Sequence, residues 1–278
     1  MTEYNGTGTE VKNMIAEIIC VGTEILLGNI VNTNAQYLSK RLAEAGVDVH
    51  FETVVGDNPH RIMDAVKIAY GRADTVILTG GLGPTKDDLT KEMLAEYFGT
   101  KLVMDEKALN QLNEFLQVMK KESLQTAIMK QALVPEGSIV MYNHHGTAPG
   151  VIMENEGKVC ILLPGPPKEM QPMFEEYCMP FLKERSGRTL VSVNIKMLSM
   201  QEAPRICVGE APVADALGDL VDNPNPTVAT HAKEDGCLIR VTAEAETREE
   251  ALAMLEPMIE KIRLILKDEY IRWIREEE

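Results

Sequence analysis

Apolar and polar positions alternate along the first 180 residues with two different periods. Ile15–Val21 is an unbroken apolar run but for Glu17, and it ends in Gly22, the pattern of a strand buried on both faces that feeds a loop. Over 34–45, Ala35, Leu38, Leu42 and Ala45 fall at helical spacing, and Gly46 stands where a helix C-cap belongs. The pattern then predicts a strand over 47–55, a helix over 60–70, a buried strand at Thr75–Thr79 followed by glycines, and a helix over 89–98. Such alternation predicts a parallel sheet with helical crossovers.

From 105 to 132 the chain reads as helical and rich in Met and Gln, and strands are predicted over 138–142, 151–154 and 159–163. A polar stretch over 184–187 marks a boundary. Beyond it, strands over 190–198, 227–231 and 236–245 and helices over 209–220 and 248–266 predict a small α+β unit. The expected organisation is a disordered tail over 1–13, an α/β domain over 14–183, an α+β domain over 187–268 and a tail over 269–278. The tail at 1–13 is polar, rich in Gly and Thr and without period. Met14 stands just before the first strand as an alternative start. Mass spectrometry of the natural protein finding only Met1 would contradict that start.

Composition narrows the function classes. The 278 residues are 45% hydrophobic and 26% charged, as in ordinary soluble domains. The longest apolar runs fall far short of the roughly 20 residues that span a bilayer, and the N-terminus lacks the pattern of a secretion signal. A cytoplasmic location without membrane association is the expectation. The five cysteines form no CxxC pair, which reads as reduced thiols. A formal net charge of −15 without a segregated basic patch argues against nucleic acid as a partner. An anionic ligand would then be held by backbone amides, a few local cations or a metal ion.

Three glycine-bearing loops fall after predicted strands, where α/β sheets bind ligands. The first runs from Gly22, Thr23 and Glu24 through Gly28 and Asn29 to Asn34. The second is Thr79-Gly80-Gly81-Leu82-Gly83-Pro84-Thr85-Lys86-Asp87-Asp88, and the third joins Gly146-Thr147-Ala148 to Gly165-Pro166. Consecutive glycines let backbone amides converge on an anion, and a following helix N-terminus favours a phosphate. The same string also describes a glycine-rich turn with a capping Asp. An acidic residue beside an anion site binds a cation, orients water or accepts a hydroxyl, so Asp88, Asp57 and Glu24 are the catalytic candidates and Asp88 and Glu24 the metal candidates. Each has a plainer reading as a loop tie or a turn-forming residue. Asn29 and Asn34 can bond ribose or base, or cap a helix. His144 and His145 are more simply exposed loop residues, and Glu169 reads as the start of a helix.

Together these strings resemble the CinA family. They are Gly22-Thr-Glu-Ile-Leu-Leu-Gly-Asn-Ile-Val-Asn-Thr-Asn34, Val55-Gly-Asp57, Thr79-Gly-Gly-Leu-Gly-Pro-Thr-Lys-Asp-Asp-Leu-Thr90, Gly146-Thr-Ala-Pro-Gly150 and Leu163-Pro-Gly-Pro-Pro-Lys-Glu-Met170. The resemblance covers about residues 15–268. It implies a three-layer molybdopterin-binding-like α/β domain of the MoaB and MogA type, with a mostly parallel sheet, plus a KH-like domain lacking a GxxG loop. It further implies hydrolysis of ADP-ribose to AMP and ribose 5-phosphate with a divalent metal ion (Mg, Mn or Co). Asp88 stands where related domains place a functional aspartate, and Asp57 matches a second acidic position. A homodimer is expected by analogy. Many family members continue into a carboxy-terminal amidohydrolase domain that deamidates nicotinamide mononucleotide. This sequence ends at Glu278 without one, so that activity is expected to be absent. The alternatives are a protein that binds or adenylylates molybdopterin, and a nucleotide-binding module without catalysis.

Overall fold

The computed structural model describes residues 14–85, 88–119, 129–199, 201–202 and 209–276. The expected tail over 1–13 and the candidate Asp87 lie outside them. The chain divides into two compact units, one of Met1–Ala43 with Val47–Ser186 and one of Glu44–Gly46 with Gly187–Glu278. No described helix is long and apolar enough to cross a membrane.

The first unit is built on a six-stranded sheet. In chain order its strands are β1 (Ile15–Val21), β2 (Asp48–Val55), β3 (Thr75–Thr79), β6 (Ile139–Met141), β7 (Gly150–Asn155) and β8 (Lys158–Leu163). Their spatial order is β2-β1-β3-β8-β7-β6. The first four in that order are mutually parallel, β7 runs antiparallel to them, and the edge strand β6 is antiparallel to β7 and so parallel to the rest. Strand side chains alternate between faces, and both faces are buried. Ile19, Val21, Val76, Leu78 and Leu162 pack with Ile62 and Val66 of α3 (Pro59–Tyr70) and Leu94 of α4 (Thr90–Tyr97). The alternate residues Ile18, Cys20, Ile77 and Ile161 are equally buried, as are Leu38 and Leu42 of α2 (Thr33–Glu44).

Burial on both faces makes the single charge within β1 costly. Glu17 is 1% exposed, and its carboxylate takes two hydrogen bonds from Arg72, each 2.8 Å, and one from Thr53 at 2.7 Å. Burial pushes the Glu17 carboxyl up, but the bonds from Arg72 and Thr53 and the Arg72 charge outweigh it, so it titrates below the usual range. A lowered folded-state value stabilises the fold above the unfolded carboxyl value, and that contribution fades as pH falls through the folded value. Arg72→Met is expected to cost about 3 kcal/mol in chemical denaturation at neutral pH, the low end for an orphaned buried charge because Arg72 itself is partly exposed. The deficit should shrink in acid, where Glu17 is protonated in both states.

The structure departs from the expected elements in several places. The loop after β1 contains a helical turn, α1 (Thr23–Leu26). Of the helix expected over 105–132, α5 covers Glu106–Met119 and a 3-10 turn covers Lys130–Ala132, with 120–128 outside the described residues. Two short strands that the pattern did not single out, β4 (Leu102–Met104) and β5 (Leu133–Pro135), pair around α5. After β8, α6 (Pro167–Met173), a π turn (Phe174–Cys178) and α7 (Met179–Ser186) carry the chain to the unit boundary, so the polar 184–186 end a helix.

In the second unit, β9 (Thr189–Met197), β10 (Thr227–Lys233), β11 (Gly236–Ala245) and β12 (Ile271–Glu276) form an antiparallel sheet in the order β10-β11-β9-β12. Helices α8 (Glu210–Leu217) and α9 (Arg248–Leu266) share a core with it through Val213, Leu255 and Ile262. The expected tail over 269–278 is corrected here. Residues 271–276 pair with β9, with Ile271 opposite Met197 and Ile274 opposite Ile195. Charged Arg272 and Arg275 hide the alternation, and charge is what an edge strand carries.

Candidate active site

Because β1, β2, β3 and β8 are parallel, the loops that follow them leave one edge of the sheet. The loop between β6 and β7 reaches the same edge. Chain direction switches sides between β1 and β3, the place where α/β sheets open a crevice. A cleft of about 360 Å³ lies there.

The glycine turn after β3 is held by its neighbours. Gly80 adopts φ +105° and Gly81 φ +68°, a region that favours glycine. A Cβ on Gly80 would stand 2.3 Å from Val21 O, and one on Gly81 2.1 Å from Thr90 Oγ1. The Gly80 amide donates to Leu163 O at 3.0 Å, so it is spent in the sheet and is unavailable to a phosphate. The next amides, those of Gly81, Leu82 and Gly83, have no acceptor among the described residues.

Asp88 folds back into this loop. Its Oδ2 accepts from Thr85 N at 2.9 Å and Thr85 Oγ1 at 2.5 Å, and the carboxylate lies against Gly83. A second segment pins the loop. Gln131 Nε2 donates to Leu82 O at 3.1 Å, and Lys130 Nζ donates to Asp88 O at 2.5 Å. Behind them, buried Lys91 donates to Gln131 O at 2.7 Å and Leu133 O at 2.8 Å, and burial pushes its pKa down to about 8.

Glu24 and Asp57 share the rim. Asp57 Oδ2 accepts from Thr23 N and Thr23 Oγ1, both at 2.8 Å, so Asp57 anchors α1. Glu24, next to Thr23, lies over Gly22 and faces the cleft. Glu169 enters from the opposite side. Its Oε2 accepts from Asn143 Nδ2 at 2.7 Å, and the carboxylate occupies the space a Cβ on Gly146 would need. Burial pushes the Glu169 carboxyl above the usual range, against the Asn143 hydrogen bond and the charge of His145.

The cleft therefore joins most of the expected residues. Gly22, Glu24, Asp57, Gly80, Gly81, Gly83, Asp88, Thr147, Ala148, Gly165 and Pro166 line it. Asn34 and Thr79 line a second cleft beside it. Thr23 and Thr85 act one step back, holding Asp57 and Asp88, and Gly146 leaves the room that the Glu169 carboxylate occupies. Gly28 and Asn29 stand exposed on the turn after α1, outside both linings. The pattern missed Gln131, which carries no local signal. Glu169 stands in the first turn of α6, as expected, but the pattern did not name it as a residue of the cleft, although its place directly after Pro164-Gly-Pro-Pro-Lys168 could have marked it.

One charge pattern stands out. Among the described residues that line the cleft are four carboxylates, Glu24, Asp57, Asp88 and Glu169, and no Lys, Arg or His. The described residues hold no group of three acidic, His or Cys side chains close enough to cage a metal by themselves. That donor set suits a hard cation of the magnesium kind, which takes one or two protein carboxylates and completes its shell with water and substrate phosphates.

Residues 17–184 match the family model described as "Probable molybdopterin binding domain", and residues 206–271 match the "Damage-inducible protein CinA KH domain". The chain belongs to the CinA family. It is 49% identical over 260 residues to a competence-damage inducible protein of Clostridium beijerinckii, covering 92% of this chain and 60% of that protein. It is also 49% identical over 257 residues to a CinA-like protein of Dictyoglomus turgidum, with the same coverage. The chain thus spans about 60% of the length of these CinA relatives. A crystal structure of CinA from Thermoplasma acidophilum is 38% identical and covers 59% of this chain and 95% of that one, with a TM-score of 0.54. The α/β unit is accordingly the molybdopterin-binding-like domain of CinA, and the α+β unit its KH-like domain.

Proposed function

We propose that the cleft hydrolyses a nucleotide pyrophosphate, with ADP-ribose as substrate and AMP and ribose 5-phosphate as products. Among the described residues, backbone amides without an acceptor meet carboxylates and no cationic side chain at the switch point of the sheet, and that pairing supports the reading. Amides at Gly81, Leu82 and Gly83 bind phosphate oxygens. A divalent ion held by Glu24 and Asp88 with the ligand's own phosphates would neutralise their charge and make a bound water more acidic. Asp57 keeps Glu24 in place through Thr23. Water oxygen adds to one phosphorus, the bridging P–O bond breaks, and the bridging oxygen leaves on the other phosphate. Glu169 takes the proton from the water, a role its raised pKa suits.

AMP release from ADP-ribose should disappear with a chelator and return with Mg²⁺, Mn²⁺ or Co²⁺. Release that a chelator leaves untouched would remove the metal from the account. Glu169→Gln is expected to lower kcat by about a hundredfold, the low end for a general base. The same change should raise the melting temperature at pH 7, because it removes a desolvated charge while the new amide oxygen still accepts from Asn143. A raised folded-state pKa costs stability only where the carboxyl is ionised, so this gain should vanish as pH falls to the unfolded carboxyl value. A faster enzyme, or an unchanged melting temperature at pH 7, would contradict the role.

The match to a molybdopterin-binding family model favours a second reading, adenylylation of a molybdopterin phosphate in the same cleft. ATP consumption that depends on added molybdopterin, without hydrolysis of ADP-ribose, would select it.

A further inference from the structure

The loop between β6 and β7 meets Glu169 through one buried side chain. Asn143 is 9% exposed and stands just after β6. Its Nδ2 donates to Ala148 O at 3.0 Å and to Glu169 Oε2 at 2.7 Å, and its Oδ1 accepts from His145 N at 2.9 Å. A backbone carbonyl only accepts and a backbone N–H only donates, so these partners fix which end of the amide is nitrogen. Both nitrogen hydrogens are then spent. An aspartate in this place would turn acceptors toward the Ala148 carbonyl and the Glu169 carboxylate, and an aliphatic residue would serve none of the three partners.

The two carboxylate oxygens of Glu169 are thereby made unequal. Oε2 is taken by Asn143, while Oε1 has no donor among the described residues. Gly146 gives the carboxylate its room, since a Cβ there would stand 2.0 Å from Oε2. The amide nitrogen that holds Glu169 also holds Ala148, which lines the cleft together with Thr147. Carboxylate and loop wall are therefore tied at one atom. Asn143 itself stands outside the lining of the cleft.

We infer that Asn143 is a positioning residue, tying the Glu169 carboxylate to the Thr147 and Ala148 wall so that Oε1 is the oxygen left for the water that attacks phosphorus. The inference rests on Glu169 being the base of the proposed hydrolysis. Asn143 acts through Glu169 in a second way, because a hydrogen bond donated to a carboxylate favours its charged form. The other charges around Glu169 are His145 on the same loop, exposed Lys168 beside it on α6, and the carboxylates of Glu24, Asp57 and Asp88 in the cleft. Burial works against the charged form, and the Asn143 bond opposes burial more than the His145 charge does.

Two measurements on the full chain test this. With ¹³C-labelled glutamate, the carboxyl signal that disappears in Glu169→Gln reports Glu169. Its titration midpoint is expected to rise by about one pH unit in Asn143→Ala. The rise should be smaller in Asn143→Ser, whose hydroxyl can donate to one partner, and smaller than for Asn143→Ala in His145→Gln, which keeps the backbone N–H. The serine variant carries the test if the alanine variant does not fold. For AMP release from ADP-ribose with Mg²⁺, Asn143→Ala should lower kcat at least about tenfold. The acid limb of its pH profile should move up together with the carboxyl midpoint. Partial unfolding would scale the rate at every pH without moving that limb. A midpoint unmoved in both Asn143 variants, a larger move in His145→Gln, or a lower rate with an unmoved limb would overturn the inference. The two claims separate on the same samples. A risen midpoint in a chain that leaves ADP-ribose intact keeps the tie and sinks the reaction, and hydrolysis with an unmoved midpoint does the reverse.

Discussion

Gly80→Ala is expected to cost about 3–5 kcal/mol, among the largest effects of any single substitution in this chain. Two costs add. Gly80 adopts φ +105°, where a side chain is strained, and its Cβ would press on the backbone carbonyl of Val21 at 2.3 Å. Neither partner can move away. Val21 ends the interior strand β1, and the Gly80 amide is bonded to Leu163 O in β8. Typical domains are stable by about 5–15 kcal/mol, so the loss brings this one close to unfolding at ambient temperature. Gly165→Ala supplies the contrast. A Cβ at Gly165 would meet only Gly80 Cα, at 3.5 Å, an ordinary contact. Urea denaturation of both variants should show a large loss for the first and a small change for the second. Similar losses would mean that the glycines serve general loop flexibility instead of close approach between strand ends.

Asp88→Asn is expected to lower AMP release from ADP-ribose by at least about a hundredfold, with little change in stability. The amide oxygen of Asn can still accept from Thr85, so the ties between Thr85 and residue 88 are kept. What disappears is negative charge facing the phosphates, and with it the hold on a cation. Excess Mn²⁺ should then restore part of the rate. Full activity in the variant would return Asp88 to the plainer reading, a residue that only closes its own turn. Asp57→Asn should behave differently. Its carboxylate bonds Thr23, so the change loosens α1 and displaces Glu24, raising KM more than it lowers kcat.

The parallel core was legible in the sequence because buried strands and amphipathic helices carry strong periods. Ile15–Val21 and Thr75–Thr79 ended where the apolar runs ended. The convergence of three distant loops was legible too, since parallel strands put their carboxyl ends on one edge. What failed was whatever depends on partners far along the chain. The strand Ile271–Glu276 exists through pairing with β9, and β4 and β5 exist through each other. The glycines were legible as close-approach positions, but not what approaches. On their Cβ side stand Val21 O, Thr90 and the Asp88 and Glu169 carboxylates, which no local pattern names. Gln131 reaches Leu82 from 49 residues away in sequence, and nothing local announces it.

The cleft at the carboxyl ends of β1, β3 and β8 is proposed to work on a pyrophosphate. Incubating the pure chain with ADP-ribose and Mg²⁺, Mn²⁺ or Co²⁺, and separating the products, tests it most directly. AMP and ribose 5-phosphate should accumulate in equal amounts with at least one of these ions. An unchanged ADP-ribose pool with all three would contradict it.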